Sequence, residues 1–485
     1  MSNSTAFKSA KALAADARAR KTGCLELLEL YLDRMRRHNP ILNAIITTDV
    51  DAARKRARAA DKALAKGEIW GPLHGVPVTI KESFDVVGMP TTWGLPELKD
   101  NFPKRNAIAV DRLLNAGAVL FGKTNVPTML ADWQTFNDVY GTTNNPWDVG
   151  RVPGGSSGGA AAALAAGLTG LDIGSDIGAS IRDPAHYCGV YGHKPTFGIC
   201  AANGQALPGV VAAQDITVIG PLARSANDLE VALKIVGGPD HIDGRGWRLA
   251  LPGTAKKSLR EFKVAVMLSA KTAEVDRSVQ DRIHAIGEFL AKQKVKVSET
   301  ARPEIDTAEA HHVFIQLVRS ATSRGQTDEM FARNLAAAGN LSTDDQSYRA
   351  WMLKGNTMFH RDWLQWNELR HRMRLKWHAF FQQYDLLLCP AGATAAFPHD
   401  QKGERWERMV TVNGKPQPST TQMFWAGFSG MAYLPSTVAP AGLTPEGLPV
   451  GVQIIGPQYA DFTCIRFAQL LEREYQAFVA PPGYE

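Results

Sequence analysis

The sequence predicts an α/β protein, with a sheet packed by helices and functional loops at its strand ends. Three observations predict it. Between residues 71 and 219, short β-branched runs such as 76–80 and 118–121 alternate with small-residue helical stretches such as 160–166. Strand and helix patterns in alternation are the mark of a sheet covered by helices. Glycine and proline are dense in the same stretch, as loops at strand ends require. Finally, 45% of the 485 residues are apolar and 21% charged, enough apolar surface for a packed core.

Along the chain, the first 70 residues read as helical. Leu25, Leu28, Leu32 and Met35 recur at spacings of three, four and three, which places them on one helix face. Asn39-Pro40 is expected to end that helix, because the residue before proline is pushed out of the α region. Residues 51–66, rich in Ala, Lys and Arg, read as a second, exposed helix. Residues 71–220 form the sheet-and-loop core. Residues 240–380 read as a variable, substrate-side region, and the stretch from 307 to 383 returns to helix and carries Trp363, Trp366 and Trp377. Residues 381–485 complete the core, with a strand at 450–455 and a helix at 463–475. No repeat, low-complexity run or linker interrupts the chain, so one domain spanning 1–485 is expected.

Composition excludes several function classes. The net charge of +6 (54 basic, 48 acidic side chains) is mild. The basic residues Arg18, Arg20, Lys21, Arg34, Arg36 and Arg37 read as a solvated helix face rather than a nucleic-acid surface. The five cysteines (Cys24, Cys188, Cys200, Cys389, Cys464) are odd in number, and no two lie two or three residues apart. Neither a disulfide framework nor a zinc site is expected, and a cytoplasmic location fits. No signal peptide and no membrane span are expected, since no run approaches 18 apolar residues. None of the twelve histidines has HExxH spacing, and His311-His312 reads as a solvated or packing pair. No metal or cofactor is assigned.

Two motifs fail on context. Residues 117–124 fit the phosphate-loop pattern, but the intervening Ala-Val-Leu-Phe reads as the strand itself. Residues 155–159 fit G-x-S-x-G, but no apolar strand precedes them.

The segment Gly154-Gly155-Ser156-Ser157-Gly158-Gly159 is either a flexible loop or a functional one. It is preceded by Gly75-Val76-Pro77-Val78-Thr79-Ile80-Lys81-Glu82. It is followed by Gly174-Ser175-Asp176-Ile177-Gly178-Ala179-Ser180-Ile181-Arg182, with Pro184 beyond. In that order, with Ser156 and Ser180 24 apart and Lys81 75 before Ser156, these segments resemble the amidase signature family. Gly122-Lys123-Thr124-Asn125, Asn145-Pro146-Trp147, Gly192-His193-Lys194-Pro195-Thr196 and Gly447-Leu448-Pro449-Val450-Gly451-Val452-Gln453 extend the resemblance over nearly the whole chain. It is weakest between about 240 and 380.

The resemblance implies a large mixed twisted sheet covered by helices on both faces. It implies hydrolysis of a carbon–nitrogen bond in an amide, anilide or carbamate (urethane), with ester cleavage as a side activity. A serine hydroxyl needs a base, and no Ser-His-Asp arrangement is evident. By resemblance the base is Lys81, acting through Ser156, with Ser180 as the nucleophile that forms the acyl-enzyme. A free lysine titrates near 10.4, so its neutral form costs about 4 kcal/mol at pH 7.4. Burial lowers that cost, and the apolar run before Lys81 fits burial. The resemblance also implies a cis Gly155–Ser156 peptide and a supporting Ser157. It implies an oxyanion hole of the N–H groups of Ile177, Gly178, Ala179 and Ser180, and a loop held by Asp176 and Arg182. The family has glycine where this chain has Ala179. If that position needs positive φ, the methyl strains the turn by roughly 1 kcal/mol or more.

For the substrate, the resemblance points to Met129, Leu130, Trp133, Phe136, Phe424 and Trp425. These side chains either line an apolar or aryl pocket or are plain core. The expected partner is a small-molecule amide or carbamate, with no nucleic acid and no membrane, and a monomer or homodimer. Two alternatives stand beside this: a glutaminase-type subunit of a tRNA-dependent amidotransferase, and a disabled binding module with the same fold.

Overall fold

A computed structural model describes residues 3–342 and 344–485. The N-terminal part is helical: α1 (Ala10–Arg18), α2 (Cys24–Leu42) and α3 (Val50–Ala65). Helix α2 buries Leu28 and Leu32 as its spacing predicts. It does not stop at Asn39-Pro40, however, but runs on to Leu42. Pro40 lies in the last turn, where it leaves the Arg36 carbonyl without its helical N–H donor but removes only one bond of the helix. Asn43, in the left-handed region at φ 49°, closes the helix with its N–H on the Asn39 carbonyl at 2.6 Å. The Asn39 side chain caps the exit by accepting from the Ala44 and Ile45 N–H groups, both at 2.9 Å.

Two expectations about exposure are corrected here. Helix α3 exposes only its basic face, because Ala53, Ala57, Ala60 and Ala63 form a buried stripe. Arg34 is not on a solvated face. It is fully buried and donates to the carbonyls of Gly167, Ala166 and Tyr484, at 2.8, 2.8 and 2.5 Å, so it ties α2 to the chain's end.

The sheet strands are β1 (Ile45–Thr48), β2 (Pro77–Lys81), β3 (Val119–Thr124), β4 (Asp172–Asp176), β5 (Tyr191–Lys194), β6 (Val218–Ala223), β7 (Lys263–Val266), β8 (Lys296–Ser298), β9 (Leu386–Pro390), β10 (Ser436–Leu443) and β11 (Pro449–Ile455). Eight of them form one mixed sheet in the order β8-β7-β9-β11-β10-β5-β6-β4. The first three in that order run parallel, and the remaining pairings are antiparallel. A smaller sheet has the order β1-β3-β2, with β2 parallel to β3. Every residue of β2 is buried, which is why this strand reads as a continuous apolar run rather than an alternating one. The run that fits the phosphate-loop pattern is indeed β3. Its Lys123 points inward and donates to the Pro90 carbonyl at 2.5 Å and the Thr91 hydroxyl at 2.9 Å.

The remaining helices cover the sheet. They include α4 (Gly158–Ala165), α5 (Arg182–Cys188), α6 (Thr307–Thr322), α7 (Tyr348–Asn356), α8 (His360–Phe380), α9 (Met423–Gly430) and α10 (Asp461–Glu474). Helix α4 is buried on every side, which explains its Gly/Ala sequence. A Cβ on Gly159 would collide with the Asn125 backbone and the Ala44 carbonyl. The five cysteines are free thiols. Among the described residues no helix is long and apolar enough to cross a membrane.

Candidate active site

Three chain segments converge at one end of β2 and β4. Strand β2 delivers Lys81 at its last residue. The glycine loop delivers Ser156 and Ser157 just before α4. The turn between β4 and α5 delivers Ser180. The loop can pack this tightly because residue 155 is glycine: a Cβ there would collide with the Asp132 carbonyl. The Gly155–Ser156 peptide is cis. The Gly155 N–H donates to Asp183 at 3.2 Å, and the Thr135 hydroxyl donates to the Gly154 carbonyl at 2.8 Å.

Lys81 is fully buried. Its Nζ lies 2.7 Å from Ser156 Oγ, 2.9 Å from Ser157 Oγ, 3.0 Å from Ser175 Oγ and 3.3 Å from the Ser175 carbonyl. No carboxylate forms an ion pair with it among the described residues. Burial therefore pulls its pKa down to about 7, against the opposing pull of Asp176 and Asp172. Ser180 is 5% exposed, and its carbonyl accepts from the Ser157 N–H at 3.1 Å, which fastens the two serine segments together.

The turn carrying Ser180 is anchored from both sides. Asp176 Oδ1 accepts from the Ala179 N–H, and Oδ2 from the Ile181 N–H, both at 3.0 Å. Arg182 grips the same carboxylate through Nη2 at 2.9 Å and Nε at 3.0 Å. It also donates to Gln453 Oε1 at 2.7 Å, the Ala426 carbonyl at 2.9 Å and Ser429 Oγ at 3.0 Å. On the other side the Trp133 indole N–H donates to the Gly178 carbonyl at 2.8 Å. This corrects one expectation. The Ala179 N–H is engaged by Asp176 and is not available to an oxyanion. Among the described residues, the N–H groups of Ile177, Gly178 and Ser180 have no such partner.

Ala179 does adopt positive φ, at 78°. This is the left-handed region that glycine occupies freely and alanine does not. We expect Ala179→Gly to raise stability by up to about 1 kcal/mol, read as a higher denaturant midpoint with turnover kept. A lower midpoint would show that the methyl, buried among its neighbours, contributes more by packing than it strains.

Sequence reasoning missed Asp172. It is fully buried and its Oδ2 accepts from the Thr79 and Thr124 hydroxyls, at 2.6 and 3.2 Å. Its Oδ1 has no partner among the described residues. Burial pushes its carboxyl up to about 7. The available signal was a lone carboxylate inside Leu171-Asp172-Ile173-Gly174, since a charge in a small apolar run needs a reason to be there.

The candidate substrate residues separate in space. Trp133 and Ala179 share one apolar cluster with Ile216, Met423 and the α6 residues Ala310, Val313 and Phe314. Ile177, Trp351 and Trp366 pack against that cluster. Phe424 and Trp425 do not join it. They are buried in the main core, with ring centroids 4.9 Å apart. It is the preceding Met423 that faces the Ser180 turn, beside Gly178. Helical geometry explains the difference, since consecutive residues of α9 point about 100° apart. Met129 and Leu130 are half-exposed at φ 56° and 57°, and the Met129 methyl touches Gly325. Phe136 lies under the Arg408 guanidinium, at 5.8 Å. His311 and His312 pack on Trp351, the latter stacked at 4.2 Å.

The chain matches known proteins over almost its full length. The amidase family model covers residues 26–465. Indoleacetamide hydrolase of Bradyrhizobium diazoefficiens is 33% identical over 470 residues, 95% of this chain and 85% of that protein. A glutamyl-tRNA(Gln) amidotransferase subunit from Acidothermus cellulolyticus is 31% identical over 492 residues, 97% of this chain and 94% of that protein. The crystal structure of a bacterial aryl acylamidase of the amidase signature family superimposes with a TM-score of 0.82 at 24% identity, covering 97% of this chain and 96% of that one, and thus shares the fold. The chain belongs to the amidase signature family, whose members hydrolyse amide C–N bonds.

Proposed function

We propose that the chain is a stand-alone amidohydrolase that cleaves small amides with an apolar or aryl acyl group, through an acyl-enzyme on Ser180. The observation that carries this is Lys81 itself: an amine buried against Ser156 Oγ at 2.7 Å and poised to be neutral near pH 7. Neutral Lys81 takes the Ser156 proton as Ser156 takes that of Ser180, whose oxygen attacks the carbonyl. The developing oxyanion is met by backbone N–H groups of the turn. The proton returns by the same path to the departing nitrogen, which leaves as the amine. Water then repeats the sequence in reverse and frees the acid. A carbamate offers the same carbonyl bonded to nitrogen, so urethane cleavage uses the same steps, as does ester cleavage.

A glutaminase-type subunit is the second reading, favoured by a relative of nearly equal identity. Glutamine carries an ammonium and a carboxylate beside its amide. The cluster that meets Ala179 is apolar, built from Trp133, Ile216, Met423 and Phe314. Such an apolar surface suits an apolar or aryl acyl group better than those two charges, and the stand-alone reading is preferred for that reason.

The test is a hydrolysis panel on the purified protein with Ser180→Ala as blank: an aliphatic amide, a nitroanilide, an aryl carbamate, a nitrophenyl ester and glutamine. We expect turnover of an amide or anilide that vanishes in the variant, and labelling of Ser180 by a fluorophosphonate. Turnover of glutamine alone would favour the glutaminase reading. An unlabelled, inactive protein would mean a disabled binding module.

A further inference from the structure

We propose that Gln205 is a positioning residue for the Ser180 reaction: its carboxamide, set behind Ser175, favours the neutral form of Lys81 that accepts the Ser156 proton. This deepens the reading of Lys81 as the base and rests on it.

Gln205 lies on the connection between β5 and β6, in none of the segments that carry the family resemblance. It is buried all the same, at 6% exposed. Its backbone is held on two sides. The Gln205 N–H donates to the Ala202 carbonyl at 2.9 Å, the Asp85 N–H to the Gly204 carbonyl at 2.7 Å and the Ile108 N–H to the Asn203 carbonyl at 3.1 Å. Asp85 follows closely on Lys81 in the chain, so the turn carrying Gln205 is fastened to the segment that carries the base. From there the side chain reaches inward. Its Nε2 lies 3.2 Å from Ser175 Oγ and 3.3 Å from Ser83 Oγ. Ser175 Oγ in turn lies 3.0 Å from Lys81 Nζ. Both serines are buried. Gln205 thus joins β4 to the chain leaving β2, one oxygen away from the base.

A carboxamide nitrogen carries two hydrogens and accepts nothing, so it donates to both hydroxyls. At Ser175 this has two effects. The hydroxyl oxygen has two lone pairs. Gln205 takes one, which leaves less for an ammonium at Lys81. The positive end of the amide dipole also faces Lys81 through that oxygen and opposes a positive charge there. Both effects favour the neutral amine. Asp172 and Asp176 of β4 act the other way and favour the ammonium. Other charges on elements packed against β2 are turned elsewhere. Lys123 of β3 donates to the Pro90 carbonyl and Thr91, and Glu82 accepts from the Thr92 and Trp93 N–H groups. Arg34 of α2 is spent on three carbonyls, and the other charged side chains of α2 are at least partly exposed. Helix α4 carries no charge. Gln205 therefore works with burial against the two acids.

The test is the pH profile of kcat/KM for wild type, Gln205→Met and Gln205→Glu, on the amide or anilide of the panel that the wild type cleaves fastest. Methionine keeps the length and removes the donors. Glutamate keeps the shape and brings a negative charge. We expect the rising limb to move up by about half a pH unit in Gln205→Met and by about one unit in Gln205→Glu. At pH 6 this is a loss of about threefold and about tenfold. Above about pH 9 both variants should come within about twofold of the wild type, because Lys81 is neutral there in all three. A purely structural role would lower the plateau and leave the limb in place. A limb that stays at the wild-type pH in Gln205→Met, or that moves down in either variant, would overturn the proposal and leave Gln205 as a fastener of its turn. The two levels separate in the wild type. A wild-type limb that the variants keep removes only Gln205. A wild type without a limb, or without turnover, removes Lys81 as the base and this proposal with it.

Discussion

Lys81→Ala should lower kcat/KM by about a thousandfold or more, and Ser180→Ala by about ten-thousandfold or more. The two are not expected to add, because each removes the same proton-transfer and attack step. Ser156→Ala should lose less, since a water molecule can partly relay the proton. The pH profile separates loss of chemistry from loss of fold. Lys81 works as a base only when neutral, and burial brings its pKa down to about 7. In the wild type, kcat/KM should rise about tenfold per unit below pH 7 and level off above about pH 8. That limb should be absent from the residual activity of Lys81→Ala. A flat wild-type profile from pH 6 to 9, with chemistry rate-limiting, would remove lysine as the base.

The groups behind this prediction were legible in the sequence to different degrees. Lys81, Ser156 and Ser180 stand in segments whose residue types and spacing are specific, and the structure brings Lys81 and Ser156 into hydrogen-bond contact. The alternation of strand and helix patterns was legible as well, because burial of a strand or helix face leaves a period in the sequence. What depends on direction within an element was not. Met423, Phe424 and Trp425 are neighbours in sequence and all apolar, yet only Met423 reaches the Ser180 turn. Composition cannot rank three such residues, and the helical rotation that does so is fixed by tertiary packing. The same holds for Arg34: Arg36 and Arg37 are exposed, while it turns inward to three carbonyl groups 132 or more residues away. The continuation of α2 past Pro40 was hidden for a different reason. The proline rule is statistical, and here the chain leaves the helix only at Asn43, where the Asn39 side chain holds the N–H groups of Ala44 and Ile45.

Asp176→Asn should destabilise the fold by about 3–5 kcal/mol, because it leaves the buried Arg182 guanidinium without its counter-charge. Arg182 would keep its bonds to Gln453, Ser429 and the Ala426 carbonyl. None of those groups is charged, so they cannot replace the carboxylate. The sign with pH follows from the carboxyl's own shift. Burial raises it, but Arg182 outweighs burial and holds it below its ordinary value. A depressed folded pKa contributes stability that is fully present above the unfolded value of about 4, and that is lost as pH falls through the lowered folded value. Wild type and Asp176→Asn should therefore differ by a constant amount in denaturant midpoint from pH 6 to 8, and converge only in acid. Activity should fall as well, for a geometric reason. The asparagine side chain has a single carbonyl oxygen to serve the Ala179 and Ile181 N–H groups that the carboxylate holds with two. One end of the Ser180 turn is then released, and a nucleophile misplaced by about 1 Å loses about a hundredfold in rate. A variant with wild-type stability and rate would show that the glutamine, the serine and the backbone carbonyl hold Arg182 and the turn without the acid.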